Sequence, residues 1–438
     1  MKVYTAGEIA AARGCGEEVG ITEPQPFAGR VITLGVTSGI ACYKAVDLMR
    51  DLQRTGARVR VIESASAAEL VRPALFEALS GEQVGTSLWE GWSHDDEGAY
   101  AQFPHLDFAR GIDALVVAPA TASLLGKAAA GIGDDLLTTT LLAVDPRKTP
   151  VMLVPTMNAT MYAHPAVVAN RAVLRERGYW IVTPDEGPLA CGEEGIGRWP
   201  GNRSIVAALD RVVNGSTRLE GHRVVVTAGR TEEDIDPART LTNRASGRMG
   251  FALSRAAWLH GADVTLIHGP TELLTPPFVR TVAVRTVDEM GEAVRMALPG
   301  ASQLWMAAAV NDWAPDTAEH KLKKDEWDGV LHLSRTEDIL ACAAADRDPT
   351  TVLIGFAVET DDILDRARAK LESKGCDYIV VNNPLEEGAG FGHTTNRVAL
   401  LGRDGAITDF ELMSKHELAE RLVNHILDQQ SALTTAER

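Results

Sequence analysis

Residues 187–198 (GPLACGEEGIGR) gather four glycines and a proline around one thiol, Cys191. That composition favours neither helix nor strand, so the segment reads as a flexible lid carrying a proton-donating thiol over a bound substrate. Residues 37–44 (TSGIACYK) and 118–127 (APATASLLGK) each follow an apolar run and open a helical stretch. Backbone amides and hydroxyls at such helix starts suit a phosphate group. The second half offers a similar cradle in residues 226–250, where a strand, a polar loop and a glycine-rich helix start follow one another. Further on, residues 306–312 (MAAAVND) end a strand in small residues and one carboxylate, Asp312, and the lysine cluster 321–324 (KLKK) follows. Lysines beside a strand-end aspartate, in a chain as acidic as this one, suit a triphosphate.

Elements that position these groups show in the apolar rhythm. Buried parallel strands are expected at 31–36, 58–62, 114–118, 151–154 and 180–182, with helical spacing between them, as at Ala41, Ala45, Leu48, Met49 and Leu52. The rhythm restarts at 223–229, with strands at 262–267, 303–309, 351–356 and 377–381. The pattern predicts α/β architecture in two doubly wound domains. Residues 1–28 read as an N-terminal leader, 29–200 as the first domain, 201–220 as a polar linker and 221–438 as the second domain. Neither opening turn is a GxGxxG, and no GxxxxGK[ST] occurs, so any nucleotide would bind without the usual fingerprints.

At 438 residues the chain exceeds one ordinary domain. Its formal charge of −17, from 43 basic and 60 acidic residues, argues against nucleic acid or an anionic membrane as partner. No apolar run approaches the roughly 20 residues that span a bilayer, and no secretory pattern opens the chain. The five cysteines are scattered without CxxC spacing, so neither a disulfide framework nor a metal site is expected. A cytoplasmic location follows as an expectation.

Residues 38–44, 118–122, 131–137 (GIGDDLL) and 155–161 (PTMNATM) resemble the homo-oligomeric flavin-containing cysteine decarboxylases. Residues 104–108 (PHLDF) and the Cys191 loop resemble the phosphopantothenoylcysteine decarboxylase branch. The resemblance implies a flavodoxin-like or Rossmann-like flavoprotein domain that binds FMN. It implies His105 as the base for substrate oxidation, since imidazole titrates near neutral pH. Asn158 would hold the substrate carboxylate or thiol end, and Cys191 would donate the final proton. Ser38, Gly39, Ser64, Thr121 and Ser123 are the implied flavin contacts, and His164 plays a supporting part. The chain departs from the pattern at Thr156 and at Ser123-Leu124, and residues 89–103, with Trp89, Trp92 and His94, form a polar approach to His105.

Residues 226–239, 241–250, 306–312, 355–360 (GFAVET) and 374–383 (KGCDYIVVNN) resemble phosphopantothenate–cysteine ligase over about residues 222–402. That implies a Rossmann-like ligase domain fused behind the decarboxylase, as in the bifunctional enzymes of coenzyme A biosynthesis. CTP would activate the 4′-phosphopantothenate carboxylate as an acyl-cytidylate, and the L-cysteine amine would displace CMP. By resemblance Lys321 stabilises charge in the first step and Asn243 assists turnover of the cytidylate. Asp312, Phe356, Lys370 and Lys374 would bind CTP, with Mg²⁺ bridging its phosphates. Arg230, Ala245 and Glu337 depart from the pattern. A homo-oligomer built on trimers, with ligase halves paired as dimers, is implied as well. Two alternatives stand beside this reading: a non-catalytic regulatory flavoprotein, and a flavin decarboxylase of peptidyl cysteine.

Overall fold

The computed structural model describes residues 25–89, 93–94, 100–325, 327–390 and 392–436. Most of the expected leader, with Cys15, and Trp92 in the approach to His105 lie outside them.

Apolar runs with few polar residues must be covered on both faces, and in the first half they form one parallel sheet. Its strands are β1 (Val31–Val36), β2 (Arg58–Glu63), β3 (Ala114–Ala120), β4 (Val151–Pro155) and β5 (Trp180–Ile181). They lie in the order β2-β1-β3-β4-β5. The winding across the sheet reverses after β2, so a crevice opens between the C-terminal ends of β1 and β3, the place where ligands bind in such sheets. Helix α1 (Lys44–Arg54) buries Ala45, Leu48, Met49 and Leu52 at helical spacing. Next come α2 (Ala65–Leu70), α3 (Pro73–Ser80), α4 (Pro104–Ala109), α5 (Ala122–Ala130), α6 (Leu136–Ala143), α7 (Ala159–Ala163) and α8 (Pro165–Glu176). A two-stranded hairpin, β6 (Asp185–Pro188) and β7 (Glu194–Arg198), carries Cys191 at its tip.

Two sequence expectations about boundaries change. The stretch read as a linker contains α9 (Asn202–Asn214), whose Ile205, Ala208 and Leu209 belong to the core of the first half. Phe27, assigned to the leader, is fully buried in that same core. Local polarity at 213–217 masked the apolar stripe of α9, which recurs every three to four residues.

In the second half the strands are β8 (Arg223–Ala228), β9 (Glu232–Asp236), β10 (Arg239–Thr242), β11 (Asp263–His268), β12 (Arg280–Ala283), β13 (Gln303–Met306), β14 (Trp313–Pro315), β15 (Leu333–Arg335), β16 (Val352–Val358), β17 (Tyr378–Asn382), β18 (Thr395–Gly402) and β19 (Ile407–Ser414). The main sheet runs β12-β11-β8-β13-β16-β17-β18-β19, parallel through β17 and antiparallel beyond it. Its first six strands follow the Rossmann order, with the winding reversal between β8 and β13. Helices α10 (Arg248–Leu259) and α14 (Lys415–Ala436) cover one face, and α11 (Val287–Ala297), α12 (Ile339–Asp346) and α13 (Ile363–Lys374) cover the other. The expected two doubly wound α/β domains are therefore present: the first has the flavodoxin-like order and the second the Rossmann order. No helix among the described residues is long and apolar enough to cross a membrane.

Helix α9 joins the halves through its outer face. Asp210 ion-pairs with Arg255 of α10, which also reaches Glu420 at 3.2 Å. The Arg211 guanidinium lies 4.9 Å from the Trp258 ring centroid and 5.9 Å from that of Trp180.

Glu63, the last residue of β2, is 1% exposed, and neither of its carboxyl oxygens has a partner. Burial, helped by the nearby charge of Glu77, pushes its carboxyl up to about 7 from the ordinary 4.5. Between those values the folded chain binds the proton that the unfolded chain has released, so stability falls as pH rises through this window. Each unit is worth about 1.4 kcal/mol, giving a loss of at most about 3 kcal/mol by pH 8. Replacing Glu63 by Gln removes the titration. The melting temperature of Glu63→Gln minus that of wild type should therefore rise by several degrees between pH 5 and pH 8, and a pH-independent difference would refute the assignment.

Candidate functional site

The first site is built where β1 and β3 part. Thr37, just past β1, donates its hydroxyl to the Pro119 carbonyl at 2.8 Å, and the Thr121 amide donates back to Thr37 Oγ1 at 3.2 Å. This pair locks the two strand-end loops together. A Cβ on Gly39 would sit 3.4 Å from Pro119 Cγ and 3.8 Å from Thr121 Cγ2, so the loops face each other at van der Waals distance. Thr121 caps α5 by accepting from the Leu124 amide, and Ser64 caps α2 by accepting from Ala67. The Ser38 and Ser123 hydroxyls are exposed. Neither is in a hydrogen bond among the described residues. Two unengaged hydroxyls at helix starts beside a parallel switch point fit a phosphate-bearing flavin nucleotide.

A second group lies at the end of β4. Asn158 caps α7, its Oδ1 accepting from the Thr160 and Met161 amides at 2.8 and 3.3 Å. With its oxygen so engaged, the side-chain Nδ2 is forced outward as a donor. It reaches Cys191 Sγ at 3.4 Å and Glu193 Oε2 at 2.5 Å. The lid thiol and the amide expected to hold the substrate are thus in contact, and Glu193 is an acid the sequence reading did not single out. His164 accepts from the Ala166 amide at the start of α8, which makes it a helix cap. Thr156 Oγ1 donates to the Val154 carbonyl at 3.5 Å, a local tie at the strand end.

His105 sits in the first turn of α4, half-buried, with a buried Nδ1 that has no partner. Among the described residues no hydrogen bond joins it to Asn158 or Cys191. Inside one chain the imidazole and the amide–thiol pair are separate groups.

The lid is held by backbone. The Met157 amide donates to the Gly197 carbonyl at 3.0 Å, and a Cβ on Gly197 would lie 2.1 Å from the Met157 carbonyl oxygen. Gly197 also has φ +142, so both contact and conformation demand glycine there.

In the second half a cleft of about 800 Å³ opens over the C-terminal edge of the main sheet. It brings together Asn243, Asp312, Phe356, Lys370 and Lys374 of the expected ligase residues. Lys321 is exposed on the loop between β14 and β15 and is not part of the cleft lining. Asn243 Nδ2 donates to the Ala309 carbonyl at 3.1 Å and to Asn311 Oδ1 at 2.9 Å. Asn311, 7% exposed, in turn donates to the Thr231 and Leu241 carbonyls, so it fixes the loop that presents Asn243. Lys374 ion-pairs with Asp338. Burial works against ionising that carboxyl, but the Lys374 hydrogen bond prevails and holds it below the usual carboxylate range.

The departures from the ligase pattern also find partners. Arg230 donates to Glu232 at 3.3 Å and to the Ala245 carbonyl at 3.4 Å, while Glu337 receives Arg295 at 2.8 Å. Sequence reasoning missed Asn311, Arg248 and Lys415, all in the cleft lining. Asn311 and Arg248 lie inside segments read as motifs without being singled out there, and Lys415 is remote in sequence from both. Among the described residues no cluster of three His, Cys, Asp or Glu side chains could hold a metal ion.

Comparison with known proteins gives the same division. Residues 21–214 match the Flavoprotein family model, and residues 219–429 match the DNA/pantothenate metabolism flavoprotein C-terminal domain. Over 401 residues the chain is 41% identical to the coenzyme A biosynthesis bifunctional protein CoaBC of Bacillus subtilis (strain 168), covering 91% of this chain and 96% of that protein. The same-named protein of Mycobacterium tuberculosis (strain ATCC 25618 / H37Rv) is 40% identical over 412 residues, covering 90% and 96%. Among solved structures, the C-terminal domain of a CoaBC protein aligns at 34% identity and TM-score 0.43, over 50% of this chain and all of that one. The FMN-dependent cysteine decarboxylase SpaF aligns at 29% and 0.35, over 43% and 97%.

Gly197→Ala should unseat the lid and leave the second half intact. Hydrogen exchange at the Met157 amide should speed up by at least about fivefold, as expected where one hydrogen bond worth about 1 kcal/mol or more is lost. Unchanged protection at Met157 would show that the hairpin is not anchored there.

Proposed function

The chain belongs to the family of bifunctional coenzyme A biosynthesis proteins, and from that premise we propose how its two halves share the work. The enzyme has both decarboxylase and ligase activities. We assign residues 25–214 to the decarboxylase and residues 219–436 to the ligase. The ligase half joins 4′-phosphopantothenate to L-cysteine, and the flavin half then decarboxylates 4′-phosphopantothenoylcysteine to 4′-phosphopantetheine. The observation that supports this reading is that each parallel sheet has its own winding reversal, with the exposed Ser38 and Ser123 hydroxyls beside one and Asn243, Asp312, Phe356, Lys370 and Lys374 lining a cleft at the other.

An unactivated carboxylate acylates poorly, because an oxide would have to leave. The ligase therefore first exchanges pyrophosphate of CTP for the substrate carboxylate, forming an acyl-cytidylate. The cysteine amine then displaces CMP and loses a proton. Lys370 and Lys374 face the triphosphate, Asp312 helps hold its Mg²⁺, and Phe356 packs near the base. Asn243, fixed by Asn311, donates toward the acyl carbonyl. Lys321, exposed on its loop, reaches the site by movement of that loop.

In the flavin half, bound FMN would supply a two-electron oxidation of the cysteinyl side chain, making it an electron sink for CO₂ loss, and would take part in restoring those electrons. Ser38, Gly39, Ser64, Thr121 and Ser123 hold that cofactor. His105 accepts the thiol-side proton, Asn158 Nδ2 holds the substrate carboxylate, and Cys191 returns a proton to carbon after CO₂ leaves. Ile40 and Tyr43, 69% and 60% exposed, flank the phosphate loop. That apolar surface supports a site completed where subunits of a homo-oligomer meet, bringing His105 of one chain to the Asn158–Cys191 pair of another.

Purified protein given 4′-phosphopantothenate, cysteine, CTP and Mg²⁺ should yield 4′-phosphopantetheine, CMP, pyrophosphate and CO₂ by mass spectrometry. No product with CTP or ATP would sink the reading and favour a non-catalytic flavoprotein. Cys191→Ser should lower phosphopantetheine formation by about 10²-fold or more, the range for loss of a general acid. Phosphopantothenoylcysteine formation should stay at the wild-type rate. An equal loss in both steps would contradict the assignment of Cys191.

A further inference from the structure

The decarboxylase reading above puts an FMN phosphate at the loops that follow β1 and β2, and this inference rests on that reading. Those loops close over a carboxyl that the reaction does not use. Glu63 ends β2 directly before Ser64 and pairs in register with Val36, the last residue of β1. The Ser64 amide donates to the Val36 carbonyl at 3.0 Å, which joins the two loops at their roots. Side chains alternate along a strand, so Glu63 shares the face of Val59 and Val61. That face is covered by α1, by the short 3-10 turn Ile40–Tyr43, and by α2 and α3.

Among the described residues no cation and no hydrogen-bond donor meets this carboxyl: both oxygens are buried without partners. From the 3-10 turn comes the Cys42 thiol, also buried, which burial and then the Glu63 charge push up and so keep neutral. From α3 comes a second acid, Glu77, held by the Val84 amide at 3.2 Å, and its charge opposes ionisation of Glu63. Helix α1 presents Ala45, Leu48, Met49 and Leu52 to the same core. Its first residue, Lys44, leans over the Tyr43 ring instead, 5.9 Å from the centroid. Glu69, the titratable residue of α2, is exposed. A carboxylate so placed is costly and a neutral carboxyl far less so, so the folded chain keeps a proton here.

We propose that Glu63 links flavin binding to a proton: the first half seats the FMN phosphate while Glu63 is neutral, and bound FMN in turn holds that proton in place. The sign follows from charge alone. A phosphate at Ser38, Gly39 and Ser64 brings negative charge beside a carboxyl that has no cation, and like charges in a low dielectric disfavour each other. Filling the crevice also removes water from the ends of β1 and β2, which acts in the same direction. The coupling is reciprocal, so the factor by which the proton tightens FMN is the factor by which FMN tightens the proton. The step is a plain exchange of one proton between the carboxyl and solvent, with no other bond made or broken. Loss of that proton loosens the flavin and leaves the ligase half untouched, so pH sets the balance of the two activities within one chain.

The test needs no catalysis. FMN affinity of the full-length chain, stripped of flavin and followed by quenching of flavin fluorescence, is measured at pH 6 and pH 8 for wild type and Glu63→Gln. With Glu63 titrating at about 7, the competent fraction falls about tenfold over that interval, and the wild-type Kd should rise about tenfold more than that of the variant. Comparing the two proteins cancels the titration of the FMN phosphate itself, which falls near pH 6. Glu63→Leu, which leaves no buried polar group, should follow Glu63→Gln and guards against a variant that merely folds poorly. Calorimetry in two buffers of different ionisation enthalpy should show wild type taking up about one proton more than Glu63→Gln on binding FMN at pH 8. Equal pH dependence of Kd in wild type and both variants, or equal proton uptake, would overturn the proposal, as would wild type found unfolded at pH 8 by circular dichroism. If wild type binds no FMN at either pH, the flavin reading itself fails and the proposal falls with it.

Discussion

Everything chemical in this molecule depends on the reversal of winding in a parallel sheet. A strand whose successor packs on one side and whose later neighbour packs on the other leaves its C-terminal end uncovered, because the two crossover helices diverge there. Each half meets that constraint at its first strand, β1 or β8. Buried strand ends offer aligned backbone donors and little side-chain bulk, which explains the small residues at 118–122 and 307–309. The ligand sites are what the fold cannot cover. Selection has then had only to dress those openings with the right side chains.

How the dressing is held differs between the halves. At β4 the critical amide is oriented by its own helix: Asn158 spends its oxygen on two backbone N–H groups, so its nitrogen must face the lid. In the ligase half the corresponding amide, Asn243, is oriented by a second buried amide, Asn311, which ties three segments together. The first device is local and survives wherever a helix cap survives. The second couples the site to the packing of β8, β10 and β13, so disturbance of any of those segments reaches the cleft. A buried polar network of this kind rigidifies when every member is satisfied.

Much of this was legible from residue order. Ten of the eleven parallel strands were expected within a few residues, because continuous apolar runs between helical stretches have one good explanation; the short, largely exposed edge strand β12 was not. The strand expected at 303–309 ends at Met306, since the alanines beyond it turn into the cleft. Strands β18 and β19 were not anticipated: their alternation of buried and exposed residues is broken by a bulge near Asn396, which blurs a period of two. Helix α9 was hidden by polar neighbours. Local pattern finds elements that are buried on both faces and loses those whose meaning comes from a distant partner.

The same asymmetry governs the site residues. Cys191 and Asn158 stand in segments whose composition is odd on its own terms, and the structure puts them in contact. Arg248 stands in a glycine-rich helix start that reads as an anion cradle without marking that side chain, and Lys415 in what looks like an ordinary helix start more than 160 positions away. Their significance lies in what is missing around them among the described residues, namely a paired carboxylate, and a sequence does not display missing neighbours. In a chain with 17 more acidic than basic residues, a half-buried arginine near a buried lysine, with no carboxylate paired to either among the described residues, is the less expected arrangement. Acidic surface charge elsewhere repels anions from the outside of the protein, which concentrates the attraction at the few openings where cations stand unpaired.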